Sequence, residues 1–356
     1  MKTIDKTKPV MVTGATGYVA GWLIKKLLEE GFTVHAAVRN PQNQDAKKYL
    51  DAIASTSGGT IRYFKADLLT DGAYDAAMEG CELVFHTASP FTSKIKDAQR
   101  DLVDPALLGT KNVLGSVNRT ESVKRVVLTS SCAAIIGDAK DCLGYPNGIA
   151  TEAQWNHSST VEHQPYSYSK TVAERAAWEI SKAQSRWDLV VINPSFVIGP
   201  GINPDATSES FSLVRQLGDG TMKSGVPDFA IGVVDVRDLA EAHFKAGFTP
   251  EAHGRNIISA ENTDFLTLSS FLRKRYGAAY PFPKKSVPKL LVWLIAPAAG
   301  FTRKMIWLNV GYPWKVDNSK SVRELAMKYR PIDVSMVDFF QQMIDHKVFE
   351  KGGKKL

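Results

Sequence analysis

The chain has 356 residues, 44% of them apolar and 23% charged, which is the balance of a globular protein and excludes a disordered, collagen-like or low-complexity chain. Lys plus Arg number 44 and Asp plus Glu 37, so a formal net charge of +7 raises the question of a polyanionic partner. The three cysteines, Cys81, Cys132 and Cys142, lack the spacing of a disulfide scaffold or a structural zinc site, and the seven histidines show no ligand-like pairing.

In chain order, six short apolar runs recur: Val10 to Thr13, Thr33 to Val38, Ile61 to Lys65, Leu83 to Thr87, Val126 to Ser130 and Leu189 to Ile192. They are rich in Val, Ile, Phe and Thr without clean alternation, which predicts strands buried on both faces. Between them, Tyr18 to Glu30 reads as a helix stopped by Gly31, and Asp97 to Asn118 and Tyr166 to Gln184 as two longer helices. The alternation predicts an α/β fold with a Rossmann-type, doubly wound parallel sheet. After residue 200, prolines and glycines punctuate the chain, and a smaller, irregular C-terminal substrate lobe is expected. The division is a first domain of residues 1–200, with 231–262 returning to it through a helix over Asp235 to Gly247, and a lobe of 201–230 and 263–356.

The apolar run Leu290 to Ala296, ended by Pro297, is too short to span a bilayer, which takes about 20 residues. With no apolar leader and few cysteines, a cytoplasmic location is expected, and no membrane insertion. From Pro281 to Leu356 the chain carries 14 Lys plus Arg against 6 Asp plus Glu, so the charge surplus sits at the C-terminal end. It is spread rather than blocked, which reads as a solvated face rather than a nucleic-acid surface; the tail Lys354-Lys355-Leu356 reads as solvated too.

The first strand ends in Thr13-Gly14-Ala15-Thr16-Gly17-Tyr18-Val19-Ala20-Gly21 and a helix follows. Glycines permit a tight turn and close approach of the backbone to a pyrophosphate resting on the helix N-terminus. Thr13, Gly14, Thr16, Gly17, Tyr18 and Val19 are the expected cofactor contacts there. An acidic residue closing the second strand would suit NAD, and a basic one the 2′-phosphate of NADP. The residue is Arg39, with Lys47 and Lys48 following, so NADPH/NADP+ is expected. Asp67, after the third strand, is either an adenine contact or a helix N-cap.

Downstream of the strand end Thr129-Ser130-Ser131-Cys132 comes Tyr166-Ser167-Tyr168-Ser169-Lys170. On a helix Tyr166 and Lys170 share a face. A second Tyr-x-x-x-Lys, Tyr280 to Lys284, contains two prolines and is a chance match. Carbonyl reduction needs a proton donor and a partner for the oxygen that gains charge. Tyr166 suits the first role, with Lys170 lowering its pKa from about 10. Ser131 suits the second, with Ser130 as the other candidate.

Taken together, the glycine turn, Val38-Arg39-Asn40-Pro41, Phe85-His86-Thr87-Ala88-Ser89-Pro90, Thr129-Ser130-Ser131, Tyr166 to Lys170 and Asn193-Pro194-Ser195-Phe196-Val197-Ile198-Gly199-Pro200 resemble the extended short-chain dehydrogenases/reductases, in particular their dihydroflavonol reductase-like branch. The resemblance covers roughly residues 8 to 265. It implies NADPH-dependent reduction of a carbonyl by Ser131, Tyr166 and Lys170. It also implies cofactor contacts from Arg39, Lys48, Asp67, Leu68, Thr87, Ala88, Ser89, Ser130, Pro194 and Val197. Plant dihydroflavonol reductases carry an Asn where this chain has Ile136, and cinnamoyl-CoA reductases an Asn-Trp-Tyr-Cys-Tyr stretch where it reads Gln164-Pro165-Tyr166-Ser167-Tyr168. What remains resembles broad-specificity aldehyde and ketone reductases. A small hydrophobic or aromatic carbonyl substrate is therefore expected, in an apolar pocket of Phe91, Cys132, Ile136, Phe196 and Met222. A monomer or homodimer is expected, without metal. The competing readings are a sterol-type dehydrogenase, a nucleotide-sugar epimerase, and an NADPH-sensing regulator without turnover.

Overall fold

The computed structural model describes residues 2–89, 95–205 and 208–350. Its strands in chain order are β1 Val10–Thr13, β2 Thr33–Val38, β3 Thr60–Lys65, β4 Leu83–His86, β5 Arg125–Thr129, β6 Asp188–Pro194, β7 Phe196–Ile198, β8 Val226–Pro227, β9 Ala230–Asp235, β10 Gly254–Ile258, β11 Glu261–Asp264 and β12 Ser286–Val287. The helices are α1 Tyr18–Glu29, α2 Gln44–Thr56, α3 Asp75–Met78, α4 Asp104–Arg119, α5 Pro165–Lys182, α6 Glu209–Gly218, α7 Val236–Phe248, α8 Phe265–Tyr276, α9 Lys289–Ile295, α10 Arg303–Asn309, α11 Ser319–Glu324 and α12 Ile332–Asp345.

Seven strands form one parallel sheet in the order β10-β6-β5-β4-β1-β2-β3. The chain doubles back between β1 and β4, so the carboxyl ends of these two strands open a crevice. β1 and β4 are buried along their whole length, as runs of Val, Leu and Phe require between two helical layers. β3 departs from the expectation. It is the edge strand and alternates exposed and half-buried residues, because only one of its sides has a neighbour. The sheet core divides into one cluster around Leu23, Leu27, Val12 and Phe85 and another around Met11, Val84, Val113 and Leu189.

The helix expected over Asp97 to Asn118 is divided. A wide helical turn over Gln99–Val103 leads into α4, where Pro105 has no N–H to offer to the preceding turn. The C-terminal lobe is more regular than expected. Pro288 and Pro331 stand immediately before α9 and α12, where a fixed φ and a missing N–H cost nothing, so these prolines open helices instead of breaking them. Packing of α6, α8 and α12 builds a third core around Phe211, Leu268, Phe339 and Phe340. β9 joins β7 and β11 in a three-stranded sheet beside it.

Candidate active site

At the end of β1, Gly14 takes φ +61, and a Cβ there would stand 3.0 Å from Ala88 Cα. Gly17 closes the turn by donating to the Gly14 carbonyl at 2.8 Å and is the N-cap of α1. No side chain caps that helix and no acid lies in its first turn, so its amides present positive charge with no side-chain partner. These features fit a cofactor pyrophosphate. The threonine hydroxyl of Thr13 holds the neighbouring strand end in place. It receives the Ala88 N–H at 2.9 Å and pairs with His86 Nδ1 at 3.0 Å. Thr87 in turn donates to the Thr13 carbonyl at 2.5 Å. Burial, then the charge of Lys170, holds His86 down to about 3, so it is a neutral structural group.

Thr16 is exposed and Val19 packs on the sheet core. The Tyr18 side chain is turned away from the turn. Its hydroxyl donates to the Gly199 carbonyl at 2.5 Å and its ring meets Phe211 and Phe339 in the lobe. Arg39 is exposed just past β2 and makes no ion pair among the described residues. Lys48 pairs with Asp45 at 3.7 Å on the surface, whereas Lys47 lies over the Tyr63 ring. The Asp67 carboxylate accepts from Leu69 N at 2.8 Å, which makes it the cap of a turn, not of a helix. Leu68 packs on Gly109 of α4, and its carbonyl accepts from Asn112. Pro194 closes β6 and Val197 lies in β7.

Ser131, Tyr166 and Lys170 converge beyond β5. Ser131 is half-buried, starts a short helical turn and accepts from Ala133 N at 3.1 Å. Tyr166, in the first turn of α5, is half exposed at the ring, with its hydroxyl paired to Ser131. Burial pushes the phenol above its ordinary value, Glu209 adds to this, and the Ser131 hydroxyl works against it. Lys170, expected to lower it, is not among the causes of this shift. The Lys170 Nζ lies 5.7 Å from the Tyr166 ring centroid and donates instead to Ser89 Oγ at 2.8 Å. Burial also brings the ammonium itself down to about 8, which weakens its hold as a cation.

Ser130 is separated from its neighbour by what its side chain does. Its hydroxyl donates to Glu174 Oε2 at 2.5 Å, so it faces the interior between β5 and α5. Glu174, one turn past Lys170, also receives Asn193 Nδ2 at 2.8 Å and Arg255 Nε at 2.6 Å, with the Arg255 guanidinium 4.0 Å from the Trp155 ring centroid. A second buried group lies before α5. Asp138 accepts from Gln164 and Asn309 and pairs with His163 Nε2 at 2.8 Å. This holds Gln164 at φ +56, which starts the helix that presents Tyr166. Neither group was found from the sequence. The only local signal was the capping potential of Asp138 and the Lys170–Glu174 helical spacing.

Two residues expected in the pocket lie in the interior. Cys132 and Ile136 are each 2% exposed and belong to a core cluster with Ile135, Cys142 and Ile257. The Cys132 thiol donates a hydrogen bond to the Asn193 carbonyl at 3.2 Å. Phe196 and Met222 remain half-buried on the edge of the lobe core. Phe91 lies outside the described residues.

Comparison with known proteins identifies the family. The family model "NAD dependent epimerase/dehydratase family" matches residues 10–258. A cinnamoyl-CoA reductase of Medicago truncatula is 35% identical over 342 residues, covering 95% of this chain and 96% of its own. An anthocyanidin reductase of Vitis vinifera is 34% identical over 281 residues, 76% of this chain and 81% of its own. Among solved structures, the yeast methylglyoxal/isovaleraldehyde reductase complexed with NADPH superposes with a TM-score of 0.77 at 27% identity, covering 96% of this chain and all of its own. The chain belongs to the NAD dependent epimerase/dehydratase family of extended short-chain dehydrogenases/reductases, among the reductases of the dihydroflavonol reductase-like branch.

Proposed function

We propose that this protein reduces an aldehyde or ketone to the alcohol with NADPH, acting on a small hydrophobic or aromatic carbonyl compound. It is an NADP-dependent oxidoreductase. The observation that carries the reading is the meeting of Ser131, Tyr166 and Lys170 beyond the strand end beside the glycine turn. When bound, NADPH supplies the hydride. Tyr166 hands its proton to the carbonyl oxygen, and the Ser131 hydroxyl donates a hydrogen bond to that oxygen as charge gathers on it. Lys170 holds positive charge near the ring and aligns on Ser89. The Gly14–Gly17 turn and the first-turn amides of α1 hold the pyrophosphate, and Arg39 the 2′-phosphate. Ser130, bound to Glu174, stays out of the chemistry and leaves the oxygen to Ser131.

An apolar substrate agrees with half-buried Phe196 and Met222. Segment 201–230 has two cations, Arg215 and Lys223, and Arg215 already faces Asp219, which leaves little to bind a nucleotide diphosphate. Three buried, unpaired cysteines fit a reducing compartment such as the cytoplasm.

Replacing Tyr166→Phe removes the proton donor and keeps the ring. NADPH oxidation with a panel of aliphatic, aromatic and α-dicarbonyl compounds, followed at 340 nm, is expected to fall by about a thousandfold. NADPH binding, measured by fluorescence, stays within about threefold of wild type. Undiminished turnover in this variant rules the assignment out.

A further inference from the structure

Between residues 265 and 316 the chain has nine Lys or Arg and no Asp or Glu. Within that stretch α9 and α10 form a helical hairpin with an inner and an outer side. Val292, Ala296, Ile306 and Val310 pack inward against Phe229 and Val287. Leu290, Leu291, Leu294, Ile295, Phe301 and Trp307 are each about half exposed or more, with Leu290 at 68% and Trp307 at 57%. Single exposed leucines are ordinary, but six large apolar side chains within 18 residues make a patch.

The cations are built into the same surface. Lys289 Nζ lies 4.8 Å from the Trp307 ring centroid and donates to the Trp307 carbonyl at 2.8 Å. Arg303 stacks on Trp293 at 4.6 Å. Lys284, Lys285 and Lys304 are exposed around them. Leucines and a tryptophan presented together, with basic side chains lying over the aromatic rings, form the arrangement that partitions into the headgroup region of a bilayer. No helix among the described residues is long and apolar enough to cross a membrane.

We propose that the α9–α10 hairpin docks this protein reversibly on an anionic phospholipid surface, with its leucines and Trp307 seated among the headgroups and its lysines and arginines on the lipid phosphates. Charge decides against a second copy as the occupant. Two such hairpins related by a two-fold axis would oppose one basic segment without acids of its own to another. Nucleic acid is disfavoured because the large aliphatic side chains between these cations would gain no apolar partner from a phosphate backbone. The proposal stands on the surface alone and does not depend on the carbonyl-reductase reading.

The test is sedimentation of the full chain with phosphatidylcholine vesicles, with and without phosphatidylserine. Wild type is expected to pellet with the anionic vesicles and to be released by salt. Leu290→Asp with Leu294→Asp, and separately Lys285→Glu with Lys304→Glu, are expected to weaken pelleting by about tenfold or more while the thermal melting point is kept. All four side chains are exposed, so the fold does not depend on them. The proposal is overturned if wild type stays in the supernatant, if vesicles of phosphatidylcholine alone pellet it equally, or if both variants pellet like wild type. Light scattering that finds a dimer which Leu290→Asp with Leu294→Asp dissociates also overturns it and gives the face to a second copy.

Discussion

Burial sets the pH behaviour of Lys170, whose pKa falls from 10.5 to about 8. A lysine depressed in the folded state binds fewer protons there than in the unfolded chain between those two values. Its contribution to stability therefore rises with pH from about 8 toward 10.5, the reverse of a lysine that gains an acidic partner. Lys170→Met removes that slope, and urea unfolding of the cofactor-free protein at pH 8 and pH 10 reads the difference. Equal slopes in both proteins would show that Lys170 is not the group responsible. At Arg39 the expectation concerns selectivity. If Arg39 holds the 2′-phosphate as proposed, Arg39→Asp deletes a charge-assisted contact and sets a repulsive charge there, so NADPH binding weakens by about a hundredfold and NADH binding changes little. Paired titrations of the two cofactors measure it. At this scale the sequence exposed what lies within one helical turn or one strand end, such as Tyr166 with Lys170 or Gly14 with Gly17. It hid the Glu174–Ser130 and Asp138–His163 pairs, because partners 44 and 25 residues apart meet only after α5 has packed against the sheet.

An arginine in the first position of a central strand is the plainest departure from apolar patterning. Arg125 is fully buried, pairs with Asp188 at 2.9 Å on the adjacent strand, and donates to the carbonyls of Ala246 in the last turn of α7 and of Thr249 and Pro250 just beyond it. Its positive charge meets the negative end of that helix and anchors it to the sheet. Arg125→Ala is expected to cost about 3–5 kcal/mol, since it leaves these carbonyls unpaired in the interior. Chemical denaturation measures the loss, and a cost under about 1 kcal/mol would refute the anchoring role. Periodicity marked the six strands to within a residue or two because apolar β-branched runs have few other uses. It misjudged β3, since strand order is invisible to local pattern, and it read the prolines after residue 200 as punctuation although Pro288 opens α9, since a proline looks the same whether it ends a helix or begins one.

For the whole molecule, the parallel sheet was readable because each strand–helix unit repeats one local pattern, whereas the lobe is assembled from α6, α8 and α12, which are far apart in the chain and share no motif. The surplus charge that first pointed to a polyanion is concentrated where the apolar surface is. One more connection spans both halves. Tyr18 and Trp22, in the first two turns of α1, donate to the carbonyls of Gly199 and Pro200 at the entrance to the lobe. The helix that would receive the pyrophosphate is therefore tied to the chain that leads into the proposed substrate lobe. If that tie couples the two sites, NADPH is expected to add first and NADP+ to leave last. Product inhibition tests this order. NADP+ should compete with NADPH, and the alcohol should be noncompetitive toward it. Tyr18→Phe, which cuts one tie and keeps the ring, should move the pattern toward random addition.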